Sequence, residues 1–177
     1  MLVLAGESFQ HKASSKSGPL EVHRKDSLLA MDLPSRPGER VPCPQVLRDA
    51  MGVNPSEVYL ARDYLTVLNS EEEVMSLAPD LDLFCTLDGL GVIVTAPGKD
   101  SDFVSRCFFP KVGIAEDPVT GSAHCTLIPY WSKRTGKKDL FARQLSSRGG
   151  ELWCRDLGQR VEVAGQCVLY FQGKVFV

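Results

Sequence analysis

No apolar run in this 177-residue sequence approaches the ~20 residues needed to span a bilayer; stretches such as Val92-Ile93-Val94 are far shorter. The opening Met1-Leu2-Val3-Leu4-Ala5 is too short for a signal-peptide core and has no basic residue before it. A soluble, cytoplasmic protein without a membrane partner is expected. Cysteine pairs of the C-x-x-C type are also missing. Cys43, Cys85, Cys107, Cys125, Cys154 and Cys167 are widely spaced, most among apolar neighbours. With no leader toward an oxidising compartment, they predict buried free thiols rather than three disulfides. Histidine is scarce: His11, His23 and His124 are the whole supply, and none has ligand spacing to a cysteine pair. No zinc or other metal site is expected.

Charge of one sign is nowhere concentrated into a run of five or six residues, and no basic-aromatic alternation occurs. A polyanion track, and so a nucleic-acid partner, is excluded. The net charge of −2 hides an uneven spread: residues 1–40 carry 6 basic and 5 acidic groups, 41–105 carry 3 and 11, and 106–177 carry 11 and 6. The basic last segment is either a solvated surface or a place for a small anion. Nucleotide signatures fail as well. Gly98-Lys99 has no Ser or Thr after it, and Gly89-Leu90-Gly91 lacks a third glycine and precedes a strand.

What is present is an ordinary globular composition, 44% apolar and 24% charged, with enough chain to bury a core without staples. The first forty residues read as short strands, Ser8–Ala13, Leu20–His23 and Leu28–Asp32, which need a larger sheet to be stable. Pro34–Pro44 reads as a linker or crossover. Helical spacing follows over Pro42–Met51, then strands at Val58–Ala61 and Tyr64–Leu68. Ser70 with Glu73 forms a capping box for a short helix to about Ala78. Leu90–Ala96 and Phe103–Phe109 are strands. The strongest helical pattern covers about 122–134, with Ala123, Leu127 and Trp131 recurring every fourth residue and Gly136 as a stop. Strands are expected again at Leu140–Leu145, Glu151–Arg155, Val161–Val163, Val168–Phe171 and Val175–Val177. One long helix among many short strands indicates an α+β, mainly β unit wrapped around a central helix.

Chemistry concentrates in Gly113-Ile114-Ala115-Glu116-Asp117-Pro118-Val119-Thr120-Gly121-Ser122-Ala123-His124. Two adjacent carboxylates lead into a small-residue turn that opens the long helix. The first turn of a helix has unpartnered N–H groups and the positive end of the macrodipole. With Thr120 as cap, the amides of Gly121, Ser122 and Ala123 are placed to hold a carboxylate or phosphate, and Gly121 lets a ligand approach closely. The competing account is plain capping, with Asp117 at the N-cap and Pro118 at N1. A carboxylate beside a helix N-terminus is favoured in its ionised form, which works against a general acid. Other candidates fail: His124 and Cys125 are helix neighbours pointing about 100° apart, and Ser122 lacks a nucleophile elbow.

Glu116-Asp117-Pro118-Val119-Thr120-Gly121-Ser122-Ala123-His124, followed by Pro129-Tyr130-Trp131, resembles the signature of the PhzF (phenazine-biosynthesis-like) isomerase family, including its vertebrate-type members. The likeness extends through Ser17-Gly18-Pro19-Leu20, Met31-Asp32-Leu33-Pro34, Gly91–Pro97, Asp102–Arg106, Gln144 and Ser147-Arg148-Gly149-Gly150-Glu151-Leu152. It implies a diaminopimelate-epimerase-like fold: two similar halves, each a barrel-like sheet around a central helix, with the site in the cleft between them. It further implies cofactor-independent proton transfer on a small anionic or amino-acid-like substrate. Asp117 would be the catalytic acidic residue of the second half, and Glu116, Gly121, Ser122 and Ala123 would bind substrate.

The family's first-half glutamate, its acid/base, has no counterpart in this sequence. Residues 1–40 would be terminal strands of an otherwise missing first half plus a linker. Residues 41–177 would be the second half, the only complete one, with Val175–Val177 assigned either here or back to the first. An N-terminally truncated isoform with impaired catalysis is the leading expectation. A non-enzymatic interaction module or homodimer built on exposed core strands is the alternative, and a simple small-anion binder is a third.

Overall fold

Strand Phe103–Phe109 (β8) is buried along its length except at Arg106, the pattern of a central strand covered on both faces. Its side chains alternate between two cores. Phe103, Cys107 and Phe109 join Ala123, Leu127, Ile128 and Trp131 in one, while Val104 and Phe108 join Leu47, Val74 and Phe84 in the other. This computed structural model describes residues 10–15, 18–168 and 170. Around β8 they form a twelve-stranded mixed sheet.

In chain order the elements are β1 (Gln10–Ser15), β2 (Gly18–Lys25), β3 (Leu28–Pro34), β4 (Glu39–Arg40), α1 (Gln45–Met51), β5 (Glu57–Leu60) and β6 (Tyr64–Val67). Then come α2 (Glu71–Ser76), α3 (Leu81–Phe84), β7 (Val92–Pro97), β8, β9 (Ile114–Asp117), α4 (Gly121–Thr135), β10 (Asp139–Gln144), β11 (Gly150–Asp156) and β12 (Arg160–Gly165). The strand path is β1-β2-β3-β12-β11-β10-β8-β7-β6-β5-β4, with β9 folded back on β8. Two neighbouring pairs are parallel, β6 with β7 and β8 with β10. Parallel neighbours need a crossover: α2 and α3 supply the first and α4 the second. Helices therefore cover both faces, and β1 and β4 do not pair. The α+β architecture is as expected, with α4 packed in one core against residues of β3, β6, β7, β8, β10, β11 and β12; among the described residues the sheet does not close into a barrel. The expected first-half strands β1–β3 are continuous with the rest through the β3–β12 ladder, Leu29–Pro34 against Arg160–Gly165.

Element boundaries differ from the sequence expectation for local reasons. The first helix begins at Gln45 rather than Pro42, since Val41 and Cys43 each precede a proline and are held out of the helical region. Ser70 does cap α2, accepting from the Glu73 amide, while Glu73 reaches back to the Asn69 amide. The short α3, capped by Asp80, carries too few residues to show a period. Val168 and Tyr170, expected in a strand, carry none and stand exposed; Leu169, Phe171 and Val175–Val177 lie outside the described residues. No disulfide or cluster of three metal-ligating side chains occurs among the described residues.

Helix α4 lies against the sheet with Trp131 stacked on Phe103 at 5.6 Å between ring centroids. The indole N–H donates to Thr95 Oγ1 at 3.0 Å. Pro129 sits inside this helix and brings no N–H for the Cys125 carbonyl one turn earlier. The Arg36 main-chain N–H takes that place, donating to the Cys125 carbonyl oxygen at 2.7 Å. The connection between β3 and β4 is thereby fastened across the middle of the helix.

Candidate active site

Three residues, Pro118-Val119-Thr120, join β9 to α4. Strand alternation sends the two adjacent carboxylates to opposite sides. Glu116 meets Arg106, with Nε to Oε1 at 2.7 Å and Nη2 to Oε2 at 2.9 Å. Arg106 also donates to the Val74 and Leu77 carbonyls behind α2. Asp117 turns instead toward the start of α4, where its Oδ2 accepts from the Thr120 hydroxyl at 2.8 Å. Asp117 does not cap the helix; Thr120 occupies the N-cap position.

Thr120 is held by every polar group it has. Its amide donates to Gln144 Oε1 at 2.8 Å, and its hydroxyl lies 3.1 Å from Gln144 Nε2. Because the Gln144 amide nitrogen can only donate, the hydroxyl proton must point at Asp117. The remaining Gln144 proton goes to the Asp117 carbonyl at 2.7 Å. His124 Nδ1 lies 2.8 Å from the Thr120 carbonyl, and as that oxygen only accepts, Nδ1 carries the proton. Burial pushes the His124 pKa down to about 4, with the Thr120 bond opposing, so the ring is neutral at neutral pH. Its Nε2 is buried without a partner.

The consequence for α4 is an uncapped start. With the Thr120 side chain committed to Asp117, no side chain caps the first-turn amides. An added Cβ at Gly121 would meet nothing within 4 Å. A cavity of about 780 Å³ opens there, with Leu29, Met31, Leu33, Trp153 and Val163 among its walls and Arg148 also lining it. Ala123 is fully buried, while Gly121 and Ser122 are partly open. Ser122 Oγ accepts from Arg62 Nη2 at 3.2 Å, and Arg62 is itself paired with the buried Asp63. Gly150 is required beside the turn, since a Cβ there would fall 2.4 Å from Val119 Cγ2. The structure thus gathers Asp117, Gly121, Ser122 and Ala123 at one helix end and places Glu116 with Arg106.

A family model described as phenazine biosynthesis-like protein matches residues 14–173. The chain belongs to the PhzC-PhzF family. An uncharacterized isomerase of Pseudomonas aeruginosa is 49% identical over 91% of this chain and 62% of its own length. A phenazine biosynthesis-like domain-containing protein of Bos taurus is 50% identical over 47% of this chain. Among solved structures, a PhzF-family protein of Enterococcus faecalis superposes with a TM-score of 0.88 at 44% identity, covering 99% of this chain and 67% of that one. A hydroxyproline epimerase of Agrobacterium vitis, only 7% identical, shares the fold at a TM-score of 0.53, which places the PhzC-PhzF chain in an epimerase-like architecture. This chain spans about 62% of the length of the Pseudomonas relative.

Gln144 and Arg62 organise this PhzC-PhzF helix end, yet the residue pattern did not single them out as site groups. Gln144 had a legible signal: Leu140, Ala142 and Gln144 share the inward register of β10, so an amide stands where the strand otherwise buries apolar groups. Arg62 had none, because its 60-residue separation from Ser122 is closed only by the sheet.

Proposed function

We propose that this chain supplies the α4 side of an isomerase site that moves a proton on a small carboxylate-bearing or amino-acid-like substrate without a metal or organic cofactor. The amides of Gly121, Ser122 and Ala123 take the carboxylate, and Asp117 exchanges the proton. The observation that carries the proposal is the orientation of Thr120: its hydroxyl serves Asp117 and leaves the helix amides for a ligand. Asp117 Oδ1 has no hydrogen bond among the described residues, so one oxygen is available to a substrate. The family's first-half glutamate lacks a counterpart in this sequence, so turnover by this chain alone is impaired. The test is solvent-deuterium incorporation into hydroxy-diene and amino-acid substrates, run beside amide chemical-shift titration with acetate. Acetate should shift the Gly121–Ala123 amides, and no deuterium should enter the substrates. Incorporation that Asp117→Ala abolishes would overturn the impairment and keep the isomerase. Unmoved amides would remove the site.

A second function, a partner-binding or homodimerising module, draws support from Met31 and Trp153, large apolar side chains more than a third exposed on the cavity wall. Molecular mass in solution separates the two: a well-behaved monomer argues against it.

A further inference from the structure

A second cavity, of about 340 Å³, lies on the flank of α4 away from its N-terminus. Pro37, Tyr59, Leu65, Pro129 and Tyr130 wall it, with Glu57, Lys133 and Arg134 also in the lining. None of these residues lines the cavity at Gly121. The Tyr59 and Tyr130 rings make a corner, 5.3 Å apart between centroids and 64° between planes. The opposite wall is held in place by the main chain. Pro37 and Gly38 follow Arg36, whose N–H is fastened to the Cys125 carbonyl at 2.7 Å. A Cβ at Gly38 would lie only 3.0 Å from Tyr59 Cβ, so the chain runs close against that ring. Pocket volumes for small molecules begin at about 300 Å³, so this one has room for a single ring and a short substituent.

The polar groups decide which charge that substituent carries. Glu57 would favour a cation, but both its oxygens are engaged. The Tyr59 hydroxyl donates to Oε2 at 2.7 Å and the Tyr130 hydroxyl to Oε1 at 3.3 Å. Arg134 pairs with Oε1 and meets the carboxylate charge. The same guanidinium lies 5.8 and 5.7 Å from the Tyr130 and Trp131 ring centroids, which keeps it on that wall. Lys133 is different. It is an exposed member of the lining and has no ion pair or hydrogen bond among the described residues. Once Glu57 and Arg134 cancel, the charge left over in the lining is the Lys133 ammonium.

We infer that this corner is a second ligand site, separate from the helix end, and that it takes a small aromatic carboxylate. The ring packs against Tyr59 and Tyr130 between the two prolines, and the carboxylate faces Lys133. Apolar burial and aromatic contact hold any flat ring of this size. The ammonium adds a preference for an anion, a modest one because it is exposed to water. The site stands whether or not the helix end performs isomerase chemistry.

The experiment titrates the chain with benzoate, neutral benzamide, cationic benzylamine and acetate, reading amide shifts by nuclear magnetic resonance. Benzoate and benzamide should shift the Gly38, Tyr59 and Tyr130 amides, which acetate should leave unmoved. Benzoate should bind about fivefold more tightly than benzamide, with benzylamine weakest. Lys133→Gln, a change at an exposed position, should bring benzoate down to the benzamide level without altering benzamide. Tyr59→Leu removes a wall and should weaken both, the amide spectrum checking its fold. Benzoate that moves only the Gly121–Ala123 amides, or none, overturns the second site. Unchanged benzoate affinity in Lys133→Gln, or benzylamine bound as tightly as benzoate, overturns the anionic ligand.

Discussion

The two ends of α4 are built on opposite terms. At its C-terminus everything is closed off. Gly136, in the left-handed conformation, donates to the Ser132 carbonyl at 2.9 Å, and Thr135 returns its hydroxyl to the Trp131 carbonyl. Lys133 and Arg134 lie on the negative end of the dipole. Glu57 gathers the Tyr59 and Tyr130 hydroxyls and the Arg134 guanidinium. The Tyr59 hydrogen bond, opposed by burial and helped by Arg134, holds the Glu57 carboxyl below its usual range. At the N-terminus the cap side chain turns away, and the polar groups around it serve Thr120 and Asp117 rather than the helix amides. One end is completed by the protein's own side chains; at the other, no side chain caps the first-turn amides. The difference separates well-satisfied from energetically important, because the satisfied end is mostly at the surface and the unsatisfied one rests on a buried base.

That contrast sets an order of effects. The largest is acid sensitivity at the N-terminal end. Folded His124 resists protonation until about pH 4, whereas the unfolded ring takes its proton near 6.5. The unfolded state therefore binds more protons between those values, so stability is full above about pH 6.5 and falls as pH drops toward 4, by at most about 3 kcal/mol. Urea denaturation at several pH values should show a steeper acid loss in the parent than in His124→Gln, and equal slopes would remove His124 as the cause. Next comes Gln144→Leu, which strips partners from the buried Thr120 amide and the Asp117 carbonyl. It should cost about 2 kcal/mol and weaken acetate binding at Gly121, checked by denaturation and by titration. Stability loss with unchanged acetate binding would separate the base from the site. The smallest effect is Glu57→Gln at the far end. Arg134 is 45% exposed, and an exposed pair of this kind contributes well under about 1 kcal/mol. A loss above about 2 kcal/mol in the same measurement would show that the two ends are not so different.

Much of this arrangement was legible in the residues. Period four in Ala123, Leu127 and Trp131 located the helix to within two residues at each end. The apolar run Phe103–Phe109 marked its strand without error. The Glu116–His124 motif, with Pro129-Tyr130-Trp131 after it, carried the family and the helix end. What escaped was decided by tertiary pairing. Strand β9 exists because Cys107 and Asp117 pair across an irregular ladder, and nothing in Ile114–Asp117 signals a strand alone. The same pairing separates Glu116 from Asp117, two residues with equal claims in sequence. The open sheet likewise depends on the β3–β12 ladder, between residues more than a hundred positions apart.

Pro129 gives α4 a property that an unbroken helix lacks. Its missing proton leaves a gap in the ladder at Cys125, and the Arg36 amide closes that gap only once β3 is seated beside β12. Every residue that α4 needs for its other main-chain bonds lies within the helix; this one carbonyl depends on the chain that precedes β4. The Arg36 amide is accordingly a built-in reporter of assembly: its protection from hydrogen exchange should appear only when β3, β12 and α4 are in place together.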